Sequence, residues 1–157
     1  MKKEKIIKIL TVTRLVEKKG LEYSIKAIDK VMRKYSNIEY RIIGDGPLKE
    51  KLRILIKQHK LKNRIQLLGW MTQDEVHKYF AESHIFIHPS ITAKNGDQEG
   101  TPTVLIEAPA RGLPIVSTTH SGITELVQNG KSGFLVPERD VGELAEKFEY
   151  LIFHPEV

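Results

Sequence analysis

The chain of 157 residues contains no cysteine. That excludes disulfides, thiolate metal sites and cysteine nucleophile chemistry, and it fits a reducing compartment. No apolar run approaches the roughly 18 residues that span a bilayer. The charged start, Met1-Lys2-Lys3-Glu4-Lys5, leads into a short strand-like run. A signal peptide needs an apolar stretch of about 7–15 residues there. These absences lead to the expectation of a cytoplasmic protein. There is no repeat, low-complexity stretch or internal linker. No nucleic-acid motif accompanies the net charge of +5, and the lysines are spread widely enough to read as a solvated surface. Hydrophobic content of 40% in a chain of this length is enough to bury a core without staples.

What is present is an alternation of short β-branched runs with longer amphipathic stretches. Residues 6–12, 40–43, 65–68, 85–88, 114–117 and 133–136 read as strands. Between them, residues 20–35 carry Leu21, Ile25, Ile28, Val31 and Met32 at helical spacing, and a second helix runs through Leu48, Leu52, Leu55 and Ile56. Thr72 with Glu75 forms a capping-box signature for a helix to about Glu82. Further helices are expected from about 101 to 111 and from 122 to 127, and Asp140 caps a last one carrying Leu144, Phe148 and Leu151. Such an alternation implies α/β architecture, a Rossmann-like parallel sheet of about six strands with helices on both faces. Ligands of such sheets bind outside the carboxyl ends of the strands. The loops to inspect are therefore residues 13–20, 44–47, 69–71, 89–103 and 118–125.

Several of these loops suit a phosphorylated ligand. Arg14, Lys18 and Lys19 follow the first strand, and Gly20 opens a helix. Fixed cations at a strand end can neutralise a diphosphate, arginine through a bidentate fork and lysine as a point charge. The residues alone leave ordinary surface charge equally open. Gly100, Thr101, Pro102, Thr103 and Val104 resemble a helix start. Glycine allows close backbone approach, threonine caps, and proline suits the first helical position. The N–H groups of such a start can receive an anion. Glu99 and Glu107 bracket that turn. Beside a phosphate site a carboxylate makes electrostatic sense if it accepts hydrogen bonds from neutral sugar hydroxyls. Glu107 sits amid Leu105, Ile106 and Ala108, where a glutamate is normally paired or ligand-bound. A salt bridge to Arg14 or Arg111 is the plainer alternative. His84, His88 and His120 lack metal-ligand spacing. Gly44-Asp45-Gly46 lacks the third glycine of a dinucleotide fingerprint. Trp70 after Gly69 suits base stacking and a core or interface role equally.

The set Arg14-Leu15, Lys19-Gly20, Glu99-Gly100-Thr101-Pro102, Glu107-Ala108 and Gly112-Leu113-Pro114-Ile115-Val116 resembles the donor domain of family 4 (group 1) retaining glycosyltransferases. The tail Gly122-Ile123-Thr124-Glu125, Asn129-Gly130 and Gly133-Phe134-Leu135-Val136 is similar as well, so the resemblance covers nearly the whole chain in order. Residues 92–100 are similar to bacterial exopolysaccharide enzymes of the colanic-acid type. Ser121-Gly122 stands where a glycine pair is common, and Thr101 where many members have an aromatic residue and glycine.

The resemblance implies that residues 1–157 are the C-terminal nucleotide-sugar-binding half of a GT-B fold, without the N-terminal acceptor domain. It implies no metal or other cofactor, and a nucleoside-diphosphate sugar as donor. Glycosyl transfer would go, with retention of configuration, to a saccharide or lipid-linked acceptor held by the N-terminal domain, for polysaccharide biosynthesis. The isolated domain is expected to transfer nothing. A longer enzyme would be free to associate peripherally with the inner face of the plasma membrane. By the same resemblance, Arg14 and Lys19 hold the diphosphate and Glu99 contacts the donor sugar, a catalytic set of three. Glu107 bonds the ribose. Gly100, Thr101, Pro102, Thr103 and Val104 line the sugar and phosphate. Gly44 and Gly46 line the nucleotide cleft, and the backbone at Trp70 and Met71 meets the base. Other readings are a non-catalytic binding module or subunit and a GT-B-like nucleotide-sugar epimerase.

Overall fold

The computed structural model describes residues 5–98, 104–120, 123, 127 and 133–154, and of residues 104–106 the backbone alone. Among these the order is β1 (Ile7–Val12), a 3-10 turn (Glu17–Lys19), α1 (Leu21–Met32), β2 (Ile38–Ile43), α2 (Lys49–Gln58) and β3 (Ile65–Gly69). There follow α3 (Gln73–Glu82), β4 (Ile85–His88), α4 (Val104–Ala110), β5 (Ile115–Thr118), β6 (Gly133–Val136) and α5 (Val141–Phe153). The strands form one sheet in the order β3-β2-β1-β4-β5-β6, with every pair parallel. Parallel neighbours need crossovers, and the amphipathic stretches supply them as helices.

Successive strand residues point to opposite faces, and each face has its own core. Ile9, Ile42 and Ile87 pack with Ile25 and Ile28 of α1, Leu52 of α2 and Phe148 of α5. Leu10, Phe86 and Ile115 pack on the other face with Phe80 of α3 and Ala108 of α4. Residues 85–88 and 115–118 are buried throughout, as expected of central parallel strands. A polar thread crosses the first core. The Tyr40 hydroxyl lies 2.6 Å from Thr11 Oγ1 and 3.0 Å from Ser24 Oγ, and Thr11 Oγ1 donates to Ile87 O at 2.8 Å. Burial pushes the Tyr40 pKa up to about 12, against the opposite pull of Ser24 and Thr11. The thread ties β1, β2, β4 and α1 together at fully buried atoms, where each polar group needs a partner.

Local signals act as expected. Thr72 Oγ1 accepts the Glu75 N–H and Glu75 reaches back to the Thr72 N–H, and Asp140 caps α5 through the Glu143 N–H. Two boundaries differ from the periodicity. α1 stops at Met32, short of Tyr35, and Arg64 donates to Met32 O at 2.7 Å and to Tyr35 O at 2.6 Å. Those side-chain bonds serve carbonyls that a helix end leaves open. β2 starts at Ile38, two residues before Tyr40, because Ile38 pairs with Ile7 across the sheet. The helix expected from about 101 is seen from Val104 onward; most of the one expected over 122–127 lies outside the described residues.

Candidate functional site

The order in which strands are added to the sheet reverses between β1 and β4. β1 leads outward through β2 and β3, and β4 returns to pair with β1 at Ile9–Ile85 and Leu10–Phe86. At such a switch point the loops leaving the two strands go to opposite faces and leave a crevice at the carboxyl edge. The loops are residues 13–20 after β1 and 89–98 after β4, and close backbone contact holds them together. Gly20 has φ 65°, and a Cβ there would sit 2.0 Å from Pro89 O. Ile91 N–H donates to Lys18 O at 2.9 Å. No other residue type fits at Gly20 without moving one loop.

The β2 loop is fastened to the same edge. Gly44 has φ 138°, and a Cβ there would lie 1.6 Å from Thr13 O; at Gly46 it would lie 2.6 Å from Leu15 O. Thr13 N–H donates to Ile43 O at 2.9 Å, Leu15 N–H to Asp45 O at 3.0 Å, and Gly44 N–H to Gly69 O at 2.9 Å. Gly44 and Gly46 thus let the first loop lie directly on the second, and the turn at Trp70 and Met71 comes alongside. Trp70 is 74% exposed, which removes a core role for it; Met71 is half-buried against the second core.

The charged groups sit on this frame. Arg14 is exposed, and its guanidinium pairs with no carboxylate among the described residues. Lys18 Nζ lies 3.6 Å from Asp97 Oδ2. Lys19 is half-buried at the end of the 3-10 turn, one residue before Gly20. Glu107 lies in α4, half-buried, and forms no ion pair with Arg14 or Arg111 among the described residues. Arg111 instead lies over the Phe80 ring, 5.4 Å from its centroid. Val104 begins the described part of α4. Glu99, Gly100, Thr101, Pro102 and Thr103 lie outside the described residues, as do Ser121, Gly122, Thr124 and Glu125.

A cavity of about 140 Å³ lined by Glu17, Gly20, Leu48 and Lys94 adjoins the β1 loop. A larger hollow of about 460 Å³ lies against the edge strand β3, beneath Arg53 and Lys57, away from the switch point. Its position on a sheet edge is not where doubly wound folds take ligands. His84 Nδ1 accepts the Lys8 N–H at 3.0 Å, a structural bond at the amino end of β4. Two groups at the site went unseen in the sequence. Glu17 Oε1 accepts the Lys94 N–H at 2.8 Å, and the Glu138 carboxylate accepts the Thr92 N–H. No local pattern marks either, because each partner is distant in the chain.

A doubly wound parallel sheet with a cationic loop at its switch point defines a Rossmann-like domain built to present loops at one edge. The chain belongs to the family of glycosyl transferases group 1, whose pattern matches residues 1–156. It is 45% identical over 141 residues to a glycosyltransferase named for colanic acid biosynthesis, WcaL of Salmonella typhimurium, covering 90% of this chain and 35% of that protein. It is likewise 45% identical over 139 residues to the amylovoran biosynthesis glycosyltransferase AmsK of Erwinia amylovora, covering 88% and 34%. The chain therefore spans about a third of the length of these relatives. HepE of Anabaena, solved in complex with UDP-glucose, aligns with a TM-score of 0.83 at 25% identity over 96% of this chain and 40% of that one. The C-terminal domain of LpcC from Francisella tularensis aligns at 0.82 and 22% identity, over 94% and 75%, a likeness of fold. The six-stranded sheet is that of a GT-B glycosyltransferase domain.

Proposed function

We propose that this domain binds a nucleoside-diphosphate sugar. Within a longer cytoplasmic GT-B enzyme it would take part in transfer of the glycosyl group, with retention, to a saccharide or lipid-linked acceptor bound by a second domain. The observation that supports this most is the placement of Arg14, Lys18 and Lys19 on one loop at the β1–β4 switch point. Negative charge grows on the departing diphosphate in the transition state. Cations held at fixed places lower that barrier without having to reorganise. In this reading Arg14 and Lys19 serve the diphosphate, Glu107 the ribose hydroxyls and Glu99 the donor sugar. Trp70 and Met71 border the base, and no metal is required. The names of WcaL and AmsK favour a role in building a bacterial surface polysaccharide.

The test is a calorimetric panel of nucleotide sugars against the chain. At least one nucleoside-diphosphate sugar should bind. Arg14→Ala with Lys19→Ala should weaken diphosphates at least about tenfold more than nucleosides, since charge-assisted bonds are the strong ones. Equal loss for both ligand types would reject the phosphate clamp. Glu107→Ala should lower affinity for the nucleoside moiety, and unchanged binding would reject its ribose role.

A further inference from the structure

Residues 89–98 leave β4 at the switch point and lead to Glu99, the residue assigned above to the donor sugar. The loop's internal bonds lie within one turn: Ala93 N–H to Asp97 O at 3.0 Å, Gly96 N–H to Ala93 O at 2.9 Å and Asp97 N–H to Asn95 Oδ1 at 2.9 Å. These shape the turn but do not place it on the molecule. At its start the loop is held by Thr118 of β5, whose hydroxyl donates to Ser90 O at 2.7 Å. Beyond Ser90, among the described residues, placement comes from two flanks. On the β1 side stand the bonds from Ile91 to Lys18 and from Lys94 to Glu17, with the Lys18–Asp97 pair. On the β6 side the hold falls on one residue. Thr92 donates its N–H to Glu138 Oε1 and its hydroxyl to Glu138 Oε2 at 3.5 Å, while Arg139 Nη2 donates to Thr92 O. A carboxylate takes both donors and a guanidinium serves the acceptor. All the polar groups of Thr92 are thus committed to two consecutive residues after β6.

Two features separate this arrangement from a surface ion pair. The Glu138 side chain is only 26% exposed, and Oε1 lies 3.3 Å from Nδ1 of the buried His120, which follows β5. One carboxylate therefore joins the ends of β4, β5 and β6. Arg139 has φ 63°. A residue with a side chain holds that left-handed conformation where its surroundings over-determine it, and such residues gather at functional sites.

We propose that Glu138 and Arg139 are positioning residues for the donor-sugar loop. Through Thr92 they fix residues 91–98, and so set the discrimination between a nucleotide sugar and the bare nucleoside diphosphate. The inference rests on the donor-binding reading above. Neither residue touches the diphosphate in that reading. Hydrogen bonds to sugar hydroxyls weaken steeply with angle and distance, and a displacement of about 1 Å in a positioned group can cost on the order of 100-fold in rate.

The test titrates the chain by calorimetry with UDP-glucose and GDP-mannose, and with UDP and GDP alone. It compares wild type with Glu138→Ala and Arg139→Gly. Glycine relieves the left-handed backbone, so Arg139→Gly removes the guanidinium without straining the fold. For both variants, UDP or GDP affinity should stay within about twofold while nucleotide-sugar affinity falls roughly tenfold, the share carried by misplaced polar contacts. In the ligand-free Glu138→Ala chain, the Thr92 amide should exchange with solvent faster while β1 and β4 amides keep wild-type protection. Parallel loss of both ligand types, or unchanged sugar affinity with unchanged Thr92 exchange, would overturn the positioning role. A wild-type chain that binds none of the four probes would overturn the donor-binding reading, and this inference with it. Wild type that discriminates sugar from diphosphate, with variants that discriminate equally well, would reject the positioning role alone.

Discussion

At the amino end of the sheet, His84 Nδ1 accepts the Lys8 N–H at 3.0 Å, which only an unprotonated nitrogen can do. Burial, then the charges of Lys5 and Lys8, hold its pKa below the usual 6.5. The unfolded chain thus binds this proton more readily than the folded one. The bond's contribution is fully present above pH 6.5 and is lost as pH falls from there through the lowered folded pKa. Asparagine keeps an acceptor near the same place and does not titrate. From urea denaturation at several pH values, the stability of His84→Asn should fall less between about pH 7 and 5 than that of wild type, and equal slopes would show that the bond contributes nothing. Gly20 is the second residue whose role is decided by an atom. Alanine at φ 65° costs about 1–2 kcal/mol before any clash, and its Cβ would meet Pro89 O at 2.0 Å. Gly20→Ala should lose at least about 2 kcal/mol of unfolding free energy, more than conformation alone explains; a loss under 1 kcal/mol would mean the two loops part easily. In the sequence Gly20 is legible as the opening of a helix. Its contact with Pro89 is not, because nothing near Gly20 announces the β4 loop.

Between elements, the carboxyl ends of α1 and α2 are joined by a charged cluster. Asp29 of α1 lies 2.8 Å from Nδ1 of His59, the residue that closes α2, and accepts from Arg33 Nε at 3.2 Å. Burial alone would raise the Asp29 pKa. Hydrogen bonds and charge from Arg33 and His59 outweigh it, so the carboxyl titrates below its ordinary 3.8. The folded pKa is the depressed one, so this stability is present above that ordinary value and is lost as pH falls through the folded pKa. Asp29→Asn should be less stable than wild type at pH 7, with the difference closing as pH drops below about 4. A constant difference across that range would show that the carboxylate's charge contributes nothing. The elements themselves were readable. The caps at Thr72 and Asp140 act over three residues, and the apolar spacing of α1, α2 and α5 matches the faces that pack. The capping of the end of α1 was not, because Arg64 reaches its last carbonyl, Met32 O, from 32 residues away.

Across the whole molecule, one sheet is shared by two cores, so neither face can open without exposing the backs of the same strands. The chain should therefore unfold in a single transition, seen alike by far-ultraviolet circular dichroism and by the near-ultraviolet signal of its aromatic residues, Tyr40 being fully buried. The sole tryptophan, Trp70, is 74% exposed, so its emission should shift little on unfolding. Two separated transitions would mean that the halves on either side of β1 and β4 fold independently. By itself the sequence determined the alternation of strand and helix, hence a parallel sheet covered on both faces with its ligand edge at the carboxyl ends, and it marked Arg14, Lys19, Gly44 and Gly46 on that edge. Those signals are local, acting through periods of two or 3.6 residues and caps of three. Only the tertiary structure decided that β4 lies beside β1, that Gly20 meets Pro89, and that Glu138 and Arg139 close on Thr92 from 46 and 47 residues away. These contacts exist because two packed cores bring distant strand ends to one edge, a result of burial over the whole chain that no short stretch of residues encodes.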